Sequence, residues 1–300
     1  MQNILVIGSL NMDMVIHLKE IPRVGETVMG KLHGYVPGGK GANQAYAAAK
    51  LGHGVSMLGK VGNDDLGKQL IDNLSNVGVD VSNISCQQDE TSGIAIIYIN
   101  EEGDNSIVVL PAANSACDTD FIANNEEVIS KSKIILIQLE IPLEAAYLAI
   151  HLAHKHGCTV MLNPAPAPDS IPDEILKLVD YLTPNESELE KLSGTPVKDV
   201  DTAEKASDIL LQKGAKNVIA TLGREGAIWV NKDGSKVFKV EDIEVVDTTA
   251  AGDTFNAAFA VGLSENMSID EAIAFANKAA RICVSRNGAQ SSIPSRSEIC

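Results

Sequence analysis

The chain has 300 residues, 45% of them hydrophobic, enough to bury a large core in one α/β domain or in two small ones. It carries 40 acidic against 24 basic residues, a net charge of −16, which argues against nonspecific association with nucleic acid or anionic membrane. Five scattered cysteines, Cys86, Cys117, Cys158, Cys283 and Cys300, form no C-x-x-C pair and speak against a zinc site or a disulfide framework. With no signal-like run ahead of the first strand and no apolar stretch of membrane-spanning length, the expectation is a soluble cytoplasmic protein.

Taken in order, residues 4–7 read as a buried strand, and residues 13–36 as strand-like and rich in turns, with Pro22, Gly25, Gly30 and Gly34. A glycine-rich run, Gly38-Gly39-Lys40-Gly41-Ala42-Asn43, leads into a helix over 44–51. A strand over 56–58 and a helix over 66–77 follow, then a hairpin of 94–100 and 106–110. Strands at 134–139, 159–162, 181–183 and 218–221 alternate with helices at 143–156, 186–192 and 202–212, and helices at 254–263 and 269–286 close the chain. Such alternation implies βαβ units around a mainly parallel sheet, in a single domain spanning 1–300. The segments 13–36 and 94–110 cannot join that sheet. They make either a flap that keeps water from a reacting centre or a plain edge hairpin.

The segment Asp247-Thr248-Thr249-Ala250-Ala251-Gly252-Asp253-Thr254-Phe255-Asn256 carries the strongest chemical signal. Small residues open an apolar helix, where unpaired N–H groups and the positive end of the helix dipole favour an anion, phosphate above all. A carboxylate there, Asp253, is costly beside an anion unless it takes a proton from an attacking hydroxyl. The competing reading is an ordinary N-capping aspartate. The glycine-rich run alone is a weak phosphate signal: every Gly-Lys pair lacks the following Ser or Thr of a P-loop. No G-x-G-x-x-G follows the first strand, which disfavours a dinucleotide-dependent dehydrogenase.

Together and in order, these two segments resemble the paired signatures of the PfkB, or ribokinase-like, sugar kinases. The resemblance covers nearly the whole chain. It includes Gly8-Ser9-Leu10-Asn11-Met12-Asp13, Asn163-Pro164-Ala165-Pro166, Thr183-Pro184-Asn185-Glu186-x-Glu188, Thr221-Leu222-Gly223 and Gly288-Ala289-Gln290-x-Ser292-Ile293-Pro294. It implies a Rossmann-like three-layer α/β sandwich with a mainly parallel central sheet and a small β-sheet lid, whose strands pair between two subunits of a homodimer. The implied reaction moves the γ-phosphoryl group of ATP to the 5-hydroxyl of D-ribose. Fructose, deoxyribose, adenosine or a non-catalytic sugar- or nucleotide-binding role on the same scaffold are the alternatives.

By the same resemblance Asp253 is the catalytic base, and the N–H groups of Ala250, Ala251, Gly252 and Asp253 form the anion hole. Asn11, Met12, Asp13, Gly39, Lys40, Gly41, Ala42, Asn43 and Glu140 line the sugar pocket. Asn185, Thr221, Leu222, Gly223, Arg224, Glu225, Gly226 and Asn277 meet ATP, with Gly252 and Asp253 at its phosphates. Glu188 serves Mg²⁺ through water, although Asn-x-x-Glu is also a helix capping box. Asp247, Thr249, Cys283, Arg286, Gly288 and Ser292 match a K⁺ site. The residues after the Ser-Ile-Pro segment are too few for the terminal helix that the family pattern implies.

Overall fold

The structure is a computed structural model and describes residues 4–299. Strand β1 (Ile4–Ile7) feeds β2 (Asn11–Leu18) and β3 (Gly30–Gly38), then helix α1 (Lys40–Lys50), β4 (Val55–Gly62), α2 (Asp65–Val77) and β5 (Asp80–Gln87). After β6 (Gly93–Ile99) and β7 (Asn105–Leu110) come α3 (Thr119–Asn124), α4 (Glu126–Ser130), β8 (Ile134–Ile137), α5 (Leu143–Lys155), β9 (Thr159–Leu162), α6 (Asp173–Leu176) and β10 (Tyr181–Leu182). The last third holds α7 (Glu186–Ser193), α8 (Val200–Gln212), β11 (Asn217–Thr221), β12 (Ala227–Asn231), β13 (Gly234–Phe238), α9 (Ala251–Ser264), α10 (Ile269–Val284) and α11 (Arg296–Ile299).

The larger sheet has nine strands in the order β13-β12-β11-β10-β9-β8-β1-β4-β5. It is parallel from β11 to β5, and the β12–β13 hairpin adds an antiparallel edge. Unbroken apolar runs such as Ile4–Ile7 and Ile134–Ile137 are what a strand covered on both faces requires. Side chains alternate between faces. Leu5 and Ile7 pack with Ala149 of α5, Leu189 of α7 and Ala206 of α8. Ile4 and Val6 pack with Ala45 of α1, Leu70 of α2, Phe259 of α9 and Ile273 of α10. The three expected layers are therefore present.

The smaller sheet has the order β3-β2-β6-β7, with β2 parallel to β6 and the outer pairs antiparallel. It contains the expected 94–110 hairpin, one residue earlier at its start. The strands of the 13–36 region are β2 and β3.

Several boundaries differ from the sequence-based expectation. Helix α1 begins at Lys40 rather than at residue 44, so Lys40 to Asn43 form its first turn and not a loop. Gly39 makes this possible: its φ is +89°, and a Cβ there would lie 2.7 Å from the Asn11 nitrogen. Helix α9 likewise starts three residues early, at Ala251. Strand β8 stops at Ile137, leaving Gln138 and Glu140 beyond its end. Strand β5 and the β12–β13 hairpin were not expected. One terminal helical turn, α11, does form where none was expected; at its start the Glu298 carboxylate accepts from the Ser295 N–H (2.7 Å) and hydroxyl (2.8 Å). Cys300 lies outside the described residues. No helix among the described residues is long and apolar enough to cross a membrane.

Candidate active site

Helix α9 opens on Ala250, whose backbone is left-handed (φ 60°, ψ 10°) without a side-chain cap. Such a conformation costs a non-glycine residue roughly 1–2 kcal/mol and concentrates at functional sites. Of the four amides expected in an anion hole, Ala251 donates to the Thr248 carbonyl at 3.2 Å. Among the described residues no acceptor takes the N–H of Ala250, Gly252 or Asp253. A Cβ at Gly252 would meet nothing within 4 Å, so the space before these amides is open.

Asp253 occupies the third helical position and is only 7% exposed. It does not cap the helix, which disposes of the bland reading of this residue. Its carboxylate instead accepts from two amides of α1: Asn43 Nδ2 to Oδ2 at 3.0 Å and Gln44 Nε2 to Oδ1 at 2.9 Å. The helix start at Lys40 puts both amides on the turn that faces α9.

Asn11 and Asp13 lie at the start of β2, where the chain leaves the large sheet for the small one. Asn11 is held by Asn114, whose Nδ2 donates to the Asn11 oxygen at 2.8 Å and to the Leu10 carbonyl at 3.1 Å. Asp13 stands beside Gly38, and a Cβ on Gly38 would run into its carboxylate. Burial, and then the charges of Glu140 and Asp253, push the Asp13 carboxyl up to about 7. Glu140 accepts from the Ser9 hydroxyl at 2.5 Å and from the Lys40 N–H at 3.0 Å, both on Oε2. Burial works against the Lys40 ammonium, but Asp253, Glu140 and Glu188 outweigh it and hold its pKa above the ordinary value. Met12 and Ala42 are buried and pack in the core beneath, while Gly39 and Gly41 bring backbone close to the β1–β2 turn.

On the other side of the α9 start lies a cavity of about 760 Å³. Asn185, Thr221, Gly223, Arg224, Gly226, Gly252 and Asn277 line it, and Val240, Ile243, Val245 and Phe255 give it apolar walls suited to a flat ring. Asn277 Nδ2 donates to the Phe238 carbonyl at 3.1 Å. Leu222 and Glu225 are not part of its lining; Leu222 is buried, its N–H bonded to the Gly226 carbonyl at 2.8 Å. Asn185 and Glu188 do form a capping box: Asn185 Oδ1 accepts from the Glu188 N–H at 2.8 Å, and the Glu188 carboxylate from the Asn185 N–H at 2.9 Å. Burial raises the Glu188 pKa, against the Asn185 bond and the Lys40 charge.

The six residues matched to a cation site sit mostly together. Asp247 accepts from Thr249 N–H (2.8 Å), Thr249 hydroxyl (2.6 Å) and Gly288 N–H (2.9 Å). The Cys283 sulfur lies 3.6 Å from the Thr249 carbonyl and 3.0 Å from the Ser292 hydroxyl. The Arg286 guanidinium turns away to pair with Glu298 at 2.6 Å, which leaves only its backbone for this site. Among the described residues no cluster of three or more His, Cys, Asp or Glu could hold a metal.

Sequence reasoning missed the amides that hold these groups in place: Gln44, Asn114, Gln138 and Asn163, all buried. A signal for two of them exists, since the apolar runs of β8 and β9 each end in an amide, Gln138 and Asn163.

The pfkB family carbohydrate kinase model matches residues 1–296. A ribokinase of Haemophilus influenzae is 42% identical over 293 residues, covering 98% of this chain and 95% of the relative. A deoxyribokinase of Salmonella typhi is 37% identical over 293 residues, covering 98% and 96%. The solved structure of Arabidopsis thaliana ribokinase complexed with ribose and ATP superposes with a TM-score of 0.93 at 33% identity, covering 99% of this chain and 97% of that one. With its paired signatures, its two-sheet architecture and these full-length matches, the chain belongs to the pfkB family of carbohydrate kinases.

Proposed function

We propose that this protein transfers the γ-phosphoryl group of ATP to the 5-hydroxyl of D-ribose. The observation that carries this reading is the place of Asp253. Its fixed carboxylate lies within electrostatic reach of Asp13 and Lys40, residues of the sugar-binding group with Asn11 and Glu140, and the unpaired amide just before it, that of Gly252, belongs to the lining of a nucleotide-sized cavity. The ribokinase relatives at about 40% identity, and the Arabidopsis relative solved with ribose and ATP, support the substrate pair. Deoxyribose is the competing substrate, because the deoxyribokinase relative is nearly as similar.

In this mechanism Asp253 orients the primary hydroxyl and accepts its proton as the O–P bond forms. The N–H groups of Gly252 and Asp253 receive the negative charge of the transferring group. Phosphoryl transfer passes through a loose transition state, so positioning and charge stabilisation matter more than base strength. Lys40, held cationic by the carboxylates around it, adds positive charge on the sugar side. Asn11, Asp13 and Glu140 take the remaining hydroxyls, which both donate and accept.

The half-buried Glu188 carboxylate suits a hydrated Mg²⁺ carried in with ATP, for which oxygen is the preferred ligand. Asp247, the Thr249 carbonyl, Cys283, Gly288 and Ser292, at the negative C-terminal end of α10, suit a K⁺ ion held largely by backbone oxygen. Such an ion would supply charge compensation beside the Ala250 turn. A homodimer through the small sheet is part of the proposal, because β7 exposes Ile107 to Leu110 and β3 exposes Leu32 and Tyr35. So is a cytoplasmic location, in keeping with four unpaired cysteines among the described residues.

The test is ADP release measured across ribose, deoxyribose, fructose and adenosine in K⁺ buffer, with Asp253→Asn alongside. Ribose should be the preferred substrate, and the variant should lose turnover by about 10²–10⁴-fold while still binding sugar. Near-normal turnover of Asp253→Asn would remove the base from the mechanism, and a preference for deoxyribose would change the substrate.

A further inference from the structure

Asp253 is not merely buried; its carboxylate is tied into a ring of side chains. Gln44 Nε2 donates to Asp253 Oδ1 at 2.9 Å and to Asn163 Oδ1 at 3.1 Å. Asn163 Nδ2 donates to the Thr183 carbonyl at 3.1 Å. The Thr183 hydroxyl donates to Asn256 Oδ1 at 2.5 Å, and Asn256 Nδ2 donates to the Gly252 carbonyl at 2.9 Å. The path has returned to the first turn of α9, one residue before the carboxylate where it began.

An amide side chain is nearly symmetric in shape, so its orientation must be imposed by its partners. Gln44 has two acceptors on one side, the Asp253 and Asn163 oxygens, and these demand its NH₂ group. On the other side Gln138 Nε2 donates to Gln44 Oε1 at 2.6 Å. Turning Gln44 over would oppose oxygen to oxygen twice and NH₂ to NH₂ once. Gln138 Oε1 lies close against Gly8 and accepts no hydrogen bond among the described residues, so the bond to Gln44 is what orients its amide. All five side chains, Gln44, Gln138, Asn163, Thr183 and Asn256, are buried. Buried polar groups joined without a break hold geometry more firmly than isolated pairs.

We propose that Gln44, backed by Gln138, is a positioning residue for phosphoryl transfer: it fixes the rotation of the Asp253 carboxylate so that the oxygen facing the sugar hydroxyl is correctly aimed. The proposal rests on the assignment of Asp253 as the base. Asn43 holds Oδ2 alone through one bond, about which the carboxylate can turn; Gln44 supplies the second point that stops it. A base displaced by a fraction of an ångström from its hydroxyl loses rate, not affinity.

The test uses Gln44→Met, which keeps the length and removes the donor, with Asp253→Asn and wild type in parallel. Turnover of Gln44→Met should fall by about 10- to 100-fold, with the KM values for sugar and ATP within about threefold. Gln44→Glu supplies a signature that a purely structural residue would not show. Its carboxylate opposes Asp253 when ionised but donates a hydrogen bond when protonated, so its turnover relative to wild type should recover as pH falls. Folded Gln44→Met with wild-type kcat, or Gln44→Glu with no pH-dependent recovery, overturns the proposal. If Asp253→Asn itself keeps turnover, the base assignment fails instead, and the two failures are told apart within one assay.

Discussion

Replacing Asp13 with asparagine should stabilise the free protein in alkaline solution while destroying its grip on the sugar. In the fold the Asp13 carboxyl is pushed from 3.8 up to about 7, by burial first and by Glu140 and Asp253 next. Below the lower value Asp13 is protonated folded or unfolded, and its ionisation has no effect on stability. Between the two values the unfolded chain releases the proton and the folded chain keeps it, so stability falls as pH rises; above about 7 the loss is complete. Each pH unit in that window is worth about 1.4 kcal/mol, so the full loss is about 4 kcal/mol, reduced to about 2–4 by partial exposure. Asparagine fills the same space without a charge. The assay is urea unfolding of wild type and Asp13→Asn from pH 5.5 to 8.5, clear of the isoelectric point near 4.7. The variant's advantage should widen by about 2 kcal/mol across that range. Two curves that stay parallel would refute the strained carboxylate. Bound ribose should reverse the order, since its hydroxyls give the ionised Asp13 the partners it lacks.

Three further outcomes are expected. Gly38→Ala places a methyl group into the Asp13 carboxylate, so the sugar KM should rise by about 10-fold, as overpacking of 1–3 kcal/mol implies, with the ATP KM unchanged; an unchanged sugar KM would show that Asp13 is free to move aside. The cation site predicts faster turnover in K⁺ than in Na⁺, and equal rates in the two salts would end that assignment. Val108→Asp, on the exposed β7, should convert a dimer to monomer in sedimentation analysis, and a wild-type protein that sediments as a monomer would contradict the lid interface.

Much of this arrangement was legible because strand and helix periods write themselves strongly where burial is complete. The runs Ile4–Ile7 and Thr159–Leu162 were found to the residue. Strand β5, half-exposed along Asp80–Gln87, shows no apolar run, and the lysine and serine of β13 hide a hairpin that pairs only at the sheet edge. The two helix starts were placed late for one reason. Gly41 and Gly252 are poor helix formers, and what holds them helical is tertiary: contact of Gly41 with the β1–β2 turn, and the left-handed Ala250. Asp253 could be singled out from sequence, but not what orients it. Gln44, Asn163, Thr183 and Asn256 come from four elements far apart in the chain, and only the folded sheet brings them to one place.

The chain passes from the large sheet to the small one within Gly8 to Leu10, comes back through Gly39, and after a second excursion into β6 and β7 returns near Asn114, which is hydrogen-bonded to both Leu10 and Asn11. Asn11 and Asp13 therefore ride on one body, whereas Gly252, Asp253 and the nucleotide cavity are built on the other. A small tilt at that joint would change the distance from Asp13 to Asp253 and leave the phosphate side untouched. The sugar side thus draws Asn11 and Asp13 from the small sheet, and Lys40 and Glu140 from the body that carries phosphate transfer. A chain of this design can be refitted for a different sugar by reshaping a four-stranded sheet, with the catalytic floor inherited intact.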